Sequence, residues 1–494
     1  MRGLETSVRK LRRKVFVEIA RVAFHGGAVK DELEAIPYKI TPTEKPQYRE
    51  SVYRERAIAS ERVRFAMGMS LRPQNRPVHV TSGLEASNIA SGYYEPPLVQ
   101  VIPSACEKCE DNVYEVSNQC RRCLARSCVT VCPTNAVFIR EDGYAEIDRA
   151  KCIKCGRCKS VCPYDAIGHK VRPCSRVCGV DAVETDELGR AKVNPEKCVA
   201  CGQCMVNCPF GAIADKSQIF QLVRALIEGE EIAAEVAPAI VGQFGEGVTL
   251  GKIKAALKKL GFIAVYEVAH GADLSAMEEA KKYAEEVATG KEPFLLTSCC
   301  PSWSMLAKTR FPDMLDRVSS TLTPMVMTAR AIKSERPNAK VVFIGPCPAK
   351  KLEAMRRSVK SDVDFVLTFE ELSGIFEAAE IEPEACEEDS IDEATALGRG
   401  YAVAGGVAGA VERCVKEFYP QTEVKVEHAE GLFECRKLLI LAEHGKKNGC
   451  LLEGMACPGG CVAGAGVNLP VQKGASEVRR FAENSKRRIP KQKK

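Results

Sequence analysis

The stretch Phe294-Leu295-Leu296-Thr297-Ser298-Cys299-Cys300-Pro301-Ser302-Trp303 joins a short apolar run directly to a cysteine pair. A second apolar run, residues 341–344, leads in the same way to Gly345-Pro346-Cys347. Short runs of this kind are typical of buried strands. In open α/β sheets, ligands bind beyond the carboxyl ends of the strands. The two runs therefore predict an α/β domain that holds its cysteines at the end of a sheet.

Helix signals lie near these strands. Residues 365–367 have the pattern of a strand, and Thr368-Phe369-Glu370-Glu371 has the form of a capping box that starts a helix. Another helix is predicted to begin at Asp273 and to carry Glu279. Its apolar positions recur at helical spacing, and they are Leu274, Met277, Tyr283 and Val287.

The composition is that of a globular protein in a reducing compartment. Of the 494 residues, 45% are hydrophobic and 25 are cysteine. The cysteines fall mostly in CxxC runs followed by Cys-Pro, a pattern of metal sites and not of a disulfide framework. No apolar run approaches the roughly 20 residues of a membrane helix, and the start shows no signal-peptide pattern. We therefore expect a soluble, cytoplasmic protein with no membrane and no nucleic-acid partner.

Positive charge is concentrated at the two ends of the chain. The formal net charge is +6, from 71 Lys and Arg against 65 Asp and Glu, and much of the excess lies in residues 9–14 and 486–494. Solvated tails and a docking site for an acidic electron carrier both fit this pattern.

Sixteen cysteines lie between residues 106 and 208, enough for four 4Fe-4S clusters. In bacterial ferredoxin runs, three thiolates bind one cube and the fourth binds the neighbouring cube. Two full runs have this spacing: Cys152, Cys155, Cys158, Cys162 and Cys198, Cys201, Cys204, Cys208. A third run has a wider middle gap: Cys120, Cys123, Cys128, Cys132. The fourth set is split into two pairs: Cys106, Cys109 and Cys174, Cys178.

The split set suggests that one two-cluster module, about residues 119–168, is inserted between the halves of another. Crossed ligation then groups Cys120, Cys123, Cys128 with Cys162; Cys152, Cys155, Cys158 with Cys132; Cys106, Cys109, Cys174 with Cys208; and Cys198, Cys201, Cys204 with Cys178. The nesting resembles the electron-transfer subunits of molybdopterin oxidoreductases, from which Gly179 departs because proline usually follows the last cysteine. Zinc is the alternative for Cys106 and Cys109, since CxxC pairs also bind zinc.

A third cysteine segment in the C-terminal half is Glu453-Gly454-Met455-Ala456-Cys457-Pro458-Gly459-Gly460-Cys461. Together with the segments around Cys299 and Cys347 it resembles iron-iron hydrogenases over roughly residues 219–467. The resemblance implies an H-cluster, which is a 4Fe-4S cube linked to a two-iron subsite with CO and CN ligands. The implied cube ligands are Cys300, Cys347, Cys457 and Cys461, with Cys461 bridging to the subsite.

The resemblance also implies roles around the subsite. Cys299 would deliver protons, Lys350 would donate to a cyanide ligand, and Met455 would pack against the subsite. The proton path would continue from Cys299 through Glu279 and Ser319. A solvated helix carboxylate is the alternative for Glu279.

Two departures indicate a divergent branch of the family. Lys282 stands where the outer proton relay usually has a glutamate. Gly345 stands where the best-studied branch has methionine, which is expected to remove one packing contact from the subsite.

The sequence predicts four parts. Residues 1–100 form a basic extension of unknown role, and residues 101–215 form α+β bacterial ferredoxin-like modules with four accessory clusters. Residues 216–475 form an α/β catalytic domain that binds its cluster between two lobes, and residues 476–494 form a basic tail. The resemblance implies a ferredoxin hydrogenase that interconverts H2 with protons and electrons. Ferredoxin or a similar small carrier is the expected partner, and maturation proteins would install the subsite. An H2 sensor and an iron-sulfur electron-transfer or scaffold protein are the alternatives. A scaffold would need neither a proton-relay thiol nor a cyanide donor.

Overall fold

The computed structural model describes residues 3–73, 75–87, 97–356, 359–391 and 394–491. Its N-terminal part is helical, with α1 (Ser7–His25), α2 (Val29–Ile40), α3 (Val52–Ala66) and α4 (Leu84–Ser87). The Thr6 hydroxyl caps the start of α1 by accepting the N–H of Arg9, and Gly26 ends the helix with a left-handed φ of 66°.

The N-terminal helices pack against both later parts of the chain. Apolar residues of α1 share one core cluster with the C-terminal α/β region. Arg12 of α1 forms a largely buried salt bridge with Glu370 at 2.8 Å. The guanidinium of Arg62 in α3 donates to the carbonyl of Gly211 in the ferredoxin-like region. Helices α1 and α3 therefore contribute to joining the two regions.

The ferredoxin-like region consists of short elements. Its strands are β1 (Val99–Val101), β2 (Val113–Val116), β3 (Val137–Ile139), β4 (Ala145–Ile147), β5 (Ile167–Lys170), β6 (Val183–Thr185), β7 (Ala191–Val193) and β8 (Ile213–Asp215). Its helices are α5 (Ser127–Thr130), α6 (Arg157–Ser160), α7 (Pro173–Arg176) and α8 (Gln203–Asn207). Along the chain, the antiparallel pair β1–β8 encloses the other three pairs, β2–β5 encloses β3–β4, and β6–β7 follows β5.

The C-terminal α/β region, after residue 215, alternates strands with helices. Its strands are β9 (Ile232–Val236), β10 (Ala264–Glu267), β11 (Phe294–Leu296), β12 (Lys340–Gly345), β13 (Phe365–Thr368), β14 (Lys425–Glu430) and β15 (Cys450–Met455). Its helices are α9 (Ile219–Ile227), α10 (Leu250–Lys259), α11 (Val268–Lys282), α12 (Pro301–Arg310), α13 (Pro324–Glu335), α14 (Ala349–Ala354), α15 (Phe369–Ala378), α16 (Ala396–Gly400), α17 (Gly406–Phe418), α18 (Leu432–Glu443) and α19 (Val471–Glu483).

Two parallel sheets form the two lobes of this region. One has the strand order β10-β9-β12-β13 and the other β11-β15-β14. The strands predicted from residues 294–297, 341–344 and 365–367 are confirmed as β11, β12 and β13. The capping box is confirmed at the start of α15, where Thr368 and Glu371 each accept the other's backbone N–H.

Some boundaries differ from those expected. The helix predicted from Asp273 begins at Val268 and continues after Lys282 as a π-helical turn, Tyr283–Val287. Its buried face is formed mainly by small residues, Ala272, Ala276 and Ala280, while Leu274 and Met277 are only half-buried. The proposed boundary at residue 476 falls inside α19. Within the described ranges, no helix combines the length and apolar character needed to cross a bilayer.

Candidate active site and electron path

A buried cavity lies where loops from both parallel sheets meet. Residues after β9, β11, β12 and β15 line it, including Ala237, Pro238, Cys299, Cys300, Cys347, Lys350, Met455, Cys457 and Cys461. The loops follow the carboxyl ends of these strands, as expected for a ligand site in an α/β domain. The structure thus brings the predicted cube ligands together with Cys299, Lys350 and Met455.

The turn that presents the cysteine pair is fixed by local contacts. Cys300 is the N-cap of α12, and Pro301 takes the first helical position, where its missing N–H is not needed. The fully buried indole of Trp303 donates to the carbonyl of Thr297 at 3.1 Å. This hydrogen bond ties the helix back to the end of β11.

The donor set fits an iron-sulfur cluster. Burial raises the pKa of both Cys347 and Cys461 to about 12, and it also raises the pKa of Cys300. These three thiols interact electrostatically with one another, and the Cys457 sulfur accepts a hydrogen bond from Gln203 Nε2 at 3.3 Å. Thiols with such pKa values are neutral at pH 7, so thiolates here require a compensating positive charge, which iron would supply.

Lys350 places a buried cation at the cavity wall. Its ammonium pairs with Glu353 at 2.7 Å and donates to the carbonyl of Cys299 at 3.3 Å. Glu353 is held in turn by the Thr323 hydroxyl at 2.6 Å. Burial alone would lower the pKa of Lys350, but Glu353 and the neighbouring thiols outweigh burial and raise it. Lys350 therefore stays charged, as a donor to an anionic ligand must.

Glu279 is a buried carboxyl beside Cys299, so the solvated alternative is wrong. It is 2% exposed and interacts electrostatically with Cys299. Its Oε1 accepts the N–H of Ser298 at 3.3 Å, whereas Oε2 has no hydrogen-bond partner among the described residues. Burial raises the pKa of Glu279 to about 7, against the opposing effects of Ser298 and the nearby Ser319 hydroxyl. The carboxyl can therefore both take up and release a proton near neutral pH.

Beyond Glu279 the polar residues lead towards solvent. Ser319 is buried and its hydroxyl accepts the N–H of Thr321 at 3.2 Å. The ammonium of Lys282, which is half-buried, donates to the hydroxyl of Ser320. A charged ammonium cannot accept a proton, so the outer end of this path differs from a carboxylate relay.

Phe343 fills the space beside Gly345, and the expected loss of a packing contact to the subsite stays a prediction. The ring of Phe343, two residues earlier on β12, lies directly against Gly345 and lines the cavity. An aromatic side chain therefore occupies the space that a side chain at 345 would take.

Each predicted accessory set repeats the same backbone turns. The residue before the second cysteine of each run has a positive φ, and these residues are Lys108, Arg122, Lys154 and Ala200. The third residue after the last cysteine is also left-handed, and these residues are Asn135, Asp165, Asp181 and Gly211. The split set shares both turns, which favours a cluster over zinc for Cys106 and Cys109.

The thiols grouped by the crossed assignment also interact electrostatically. The interacting groups include Cys128 with Cys123 and Cys162, Cys158 with Cys152 and Cys132, Cys109 with Cys106 and Cys208, Cys174 with Cys208, and Cys204 with Cys198 and Cys178. Cys204 also interacts with Cys174 of the neighbouring set. This proximity supports the assignment, while the number of clusters remains a prediction.

The last ferredoxin run, Cys198 to Cys208, lies against this cavity. Cys201 lines the cavity, and its neighbour Gln203 donates to Cys457. The Ser302 hydroxyl of α12 donates to the carbonyl of Val199 at 2.9 Å. The set that contains Cys201 is therefore placed to exchange electrons with a cluster in the cavity.

Sequence reasoning missed several residues at or beside the cavity. Phe343, Tyr401 and Gln203 contact the cavity or its cysteines, and Glu235 lies fully buried on β9. Glu235 carries a readable signal, since it is a lone carboxyl in the apolar run Ile232-Ala233-Ala234-Glu235-Val236. Tyr401 carries no signal, because nothing in its neighbourhood along the chain contains a cysteine motif.

Known families match along most of the chain. Residues 230–465 match the iron only hydrogenase large subunit, C-terminal domain. Residues 119–166 match a 4Fe-4S dicluster domain, and residues 168–219 match the LdpA Fe-S cluster-binding domain.

Individual relatives extend this similarity. Iron hydrogenase 1 of Clostridium pasteurianum is 29% identical over 371 residues, which cover 65% of this chain and 64% of that protein. The periplasmic Fe hydrogenase large subunit of Nitratidesulfovibrio vulgaris is 31% identical over 388 residues, covering 68% of this chain and 88% of that protein. A solved structure of apo FeFe-hydrogenase HydA1 from Chlamydomonas reinhardtii aligns with 52% of this chain and 86% of its own, at 24% identity and a TM-score of 0.45.

Proposed function

Because the chain belongs to the iron-only hydrogenase large subunit family, we propose that it catalyses the reversible interconversion of H2 with protons and electrons. The family and its fold are as expected: an α/β catalytic domain with parallel sheets, preceded by ferredoxin-like 4Fe-4S domains. The observation that carries the proposal is the cavity where Cys299 and Lys350 meet the four cysteines Cys300, Cys347, Cys457 and Cys461. When bound there, the H-cluster supplies the iron at which H2 is split or formed.

The chain's own residues move the protons. Burial raises the pKa of Cys299 well above its ordinary value, so the thiol stays protonated and can donate. Glu279, with a pKa of about 7, takes the proton from the thiol in one direction and returns it in the other. Ser319 connects Glu279 to the surface side.

An infrared spectrum tests the proposed cofactor. The protein would be co-expressed with hydrogenase maturation factors and purified without oxygen. Metal-bound CO and CN bands together with H2 turnover are the expected result. Bands without turnover would favour a sensor, and their absence in a protein that retains its cubes would favour an electron-transfer or scaffold role.

Cysteine variants separate the proton carrier from the ligands. Cys299→Ala should keep the CO and CN bands and lose turnover by about 10²-fold or more, because it removes a proton carrier and not a ligand. Cys461→Ala should lose the bands. Cys414→Ala is the matched control, since Cys414 is a buried thiol of α17 that does not line the cavity. Undiminished turnover in Cys299→Ala would contradict the proton path.

We further propose that an acidic one-electron carrier, such as ferredoxin, docks on the inserted ferredoxin module, about residues 119–168. Two cluster-binding loops carry exposed basic side chains, which are Arg121, Arg122, Arg126, Lys151, Lys154, Arg157 and Lys159. The same loops carry exposed apolar residues, Leu124 at 98% and Ile153 at 61% exposure, and the exposed thiol of Cys155. Exposed basic side chains beside exposed apolar ones suit an acidic partner. At the N-terminus, by contrast, Arg9 and Arg12 are engaged within the fold, and residues 492–494 lie outside the described part.

Charge reversal tests this docking face. The double variant Arg126→Glu with Lys154→Glu should raise the KM for reduced ferredoxin about tenfold and weaken its dependence on salt. Turnover with a small viologen dye should be unchanged. Lys446→Glu, an exposed reversal on the catalytic domain, is the control. Equal KM values for the double variant and the wild type would contradict the face.

A further inference from the structure

Tyr401 places an unpaired hydroxyl at the wall of the cavity. The side chain lines the cavity and is 6% exposed. Its hydroxyl has no hydrogen-bond partner among the described residues. A buried hydroxyl without a partner is costly, so such a group usually meets an acceptor that a bound molecule supplies.

The position of Tyr401 is fixed from both sides along the chain. Before it, the carboxylate of Asp273 on α11 accepts the N–H of Thr395 at 2.8 Å, its hydroxyl at 2.6 Å and the N–H of Gly398 at 3.0 Å. These bonds hold the start of α16, the short helix that ends at Tyr401.

After Tyr401, the chain is tied to the segment that carries the last two cysteines. The N–H of Val462 donates to the carbonyl of Ala402 at 3.1 Å, and the N–H of Ala404 donates to the carbonyl of Gly459 at 3.3 Å. The backbone on either side of Tyr401 is thus anchored between the helix of Glu279 and the segment of Cys457 and Cys461.

Burial and the neighbouring charges keep the Tyr401 hydroxyl protonated, so it can donate a hydrogen bond. Burial, followed by the nearby Glu279 and Cys299, raises the pKa of Tyr401 well above its ordinary value. The phenol therefore keeps its proton throughout the working range of the protein. No described side chain takes that proton in a hydrogen bond.

We propose that the Tyr401 hydroxyl donates a hydrogen bond to an acceptor atom of the cofactor in the cavity, as a third protic contact beside Cys299 and Lys350. This inference rests on the proposed function, because the acceptor belongs to the H-cluster. The acceptor chemistry that fits is a cyanide nitrogen or a sulfur atom of the two-iron subsite beside Cys299 and Lys350, each of which carries partial negative charge.

The infrared spectrum of the matured Tyr401→Phe protein tests the contact. The variant keeps the ring and removes only the hydroxyl. At least one CN or CO band should shift from its wild-type position, because a hydrogen bond to the cofactor changes the electron density at its metal. Tyr283→Phe is the matched control, since Tyr283 is a buried tyrosine whose hydroxyl donates to the carbonyl of Gly449 at 2.8 Å, away from the cavity lining. Its bands should stay in place. Unshifted bands in Tyr401→Phe would overturn the proposal.

A second measurement does not depend on the two-iron subsite. In protein expressed without maturation factors, Tyr401→Phe should melt at the same or a higher temperature than the wild type, because it removes an unsatisfied group. Tyr283→Phe should melt lower, because it breaks an internal hydrogen bond. A melting temperature for Tyr401→Phe that falls as far as that of Tyr283→Phe would show a partner within the protein and overturn the inference. Absent CO and CN bands in the matured wild type would instead count against the proposed function.

Discussion

The ring of Phe343 lies so close to Gly345 that a Cβ atom on Gly345 would stand 2.2 Å from the ring carbon Cε1. The two residues are two positions apart on β12 and therefore face the same side of the sheet. Gly345→Ala should displace the ring into the cavity and cost about 1–3 kcal/mol of stability. Iron loading of the proposed cube at Cys300, Cys347, Cys457 and Cys461 should fall with it. Chemical denaturation and iron analysis of the purified variant measure both effects.

Two further variants separate this contact from a general effect of replacing glycine. Gly409→Ala, within α17, adds a Cβ that meets no atom within 4 Å, so it should be neutral or stabilising by about 0.5–1 kcal/mol. In the double variant Phe343→Ala with Gly345→Ala the clash is absent, so its loss should be smaller than the sum of the single losses. A Gly345→Ala protein as stable as the wild type would contradict the contact.

The pKa of Glu279 predicts how stability changes with pH. Because folding raises this pKa to about 7, the folded state retains a proton that the unfolded state loses near pH 4.3. The contribution is full below pH 4.3 and is lost as the pH rises through about 7. Between pH 5.5 and 8.5 the wild type should therefore lose about 2 kcal/mol relative to Glu279→Gln, which does not titrate. Denaturant unfolding at several pH values measures this difference.

The same substitution separates structure from proton transfer. Glu279→Gln should keep the CO and CN bands and lower turnover by about 10²-fold or more. Glu278→Gln is the control, since Glu278 is the exposed neighbour on α11. Parallel pH profiles of stability in the wild type and Glu279→Gln would show that the carboxyl titrates normally.

The sequence predicted the parts of the fold that local patterns determine. The strand before Cys299, the capping box at Thr368 and the gathering of cysteines at strand ends all follow from short-range signals. The start of α11 was misplaced because its buried face is built from alanines, which are weak markers of amphipathicity. Tyr401 and Phe343 could not be found at all, because their approach to the cavity depends on tertiary packing between distant segments.

Replacing Glu235 with an apolar residue should increase the stability of the protein. It is fully buried on β9, and neither carboxylate oxygen has a hydrogen-bond partner among the described residues. Burial raises its pKa well above the ordinary value. Glu235→Leu should therefore stabilise the protein by about 1–3 kcal/mol at pH 8. The gain should be smaller at pH 5. Below pH 8 fewer of the unfolded wild-type chains carry an ionised Glu235, so keeping this carboxyl protonated in the folded state costs less stability.

Glu353→Gln is the contrasting variant for Glu235. Glu353 is also buried, but it pairs with Lys350 and accepts the Thr323 hydroxyl, so its substitution should destabilise the protein. Urea unfolding of both variants at pH 6 and 8 distinguishes them. If Glu235→Leu lost stability or iron, the carboxyl would have a role at the cavity.

Gly179 lies at the contact between the split ferredoxin set and the C-terminal α/β domain. A Cβ on Gly179 would lie 2.5 Å from Cβ and 2.9 Å from the carbonyl carbon of Leu432, at the start of α18. This contact explains why glycine, and not the usual proline, follows Cys178. Gly179→Ala should push the turn after Cys178 away from the start of α18. It should therefore lower the melting temperature and speed amide exchange in α18. Gly168→Ala, whose added Cβ would have its nearest neighbour 4.0 Å away, should change neither. Equal behaviour of the two variants would mean that the docking does not depend on this contact.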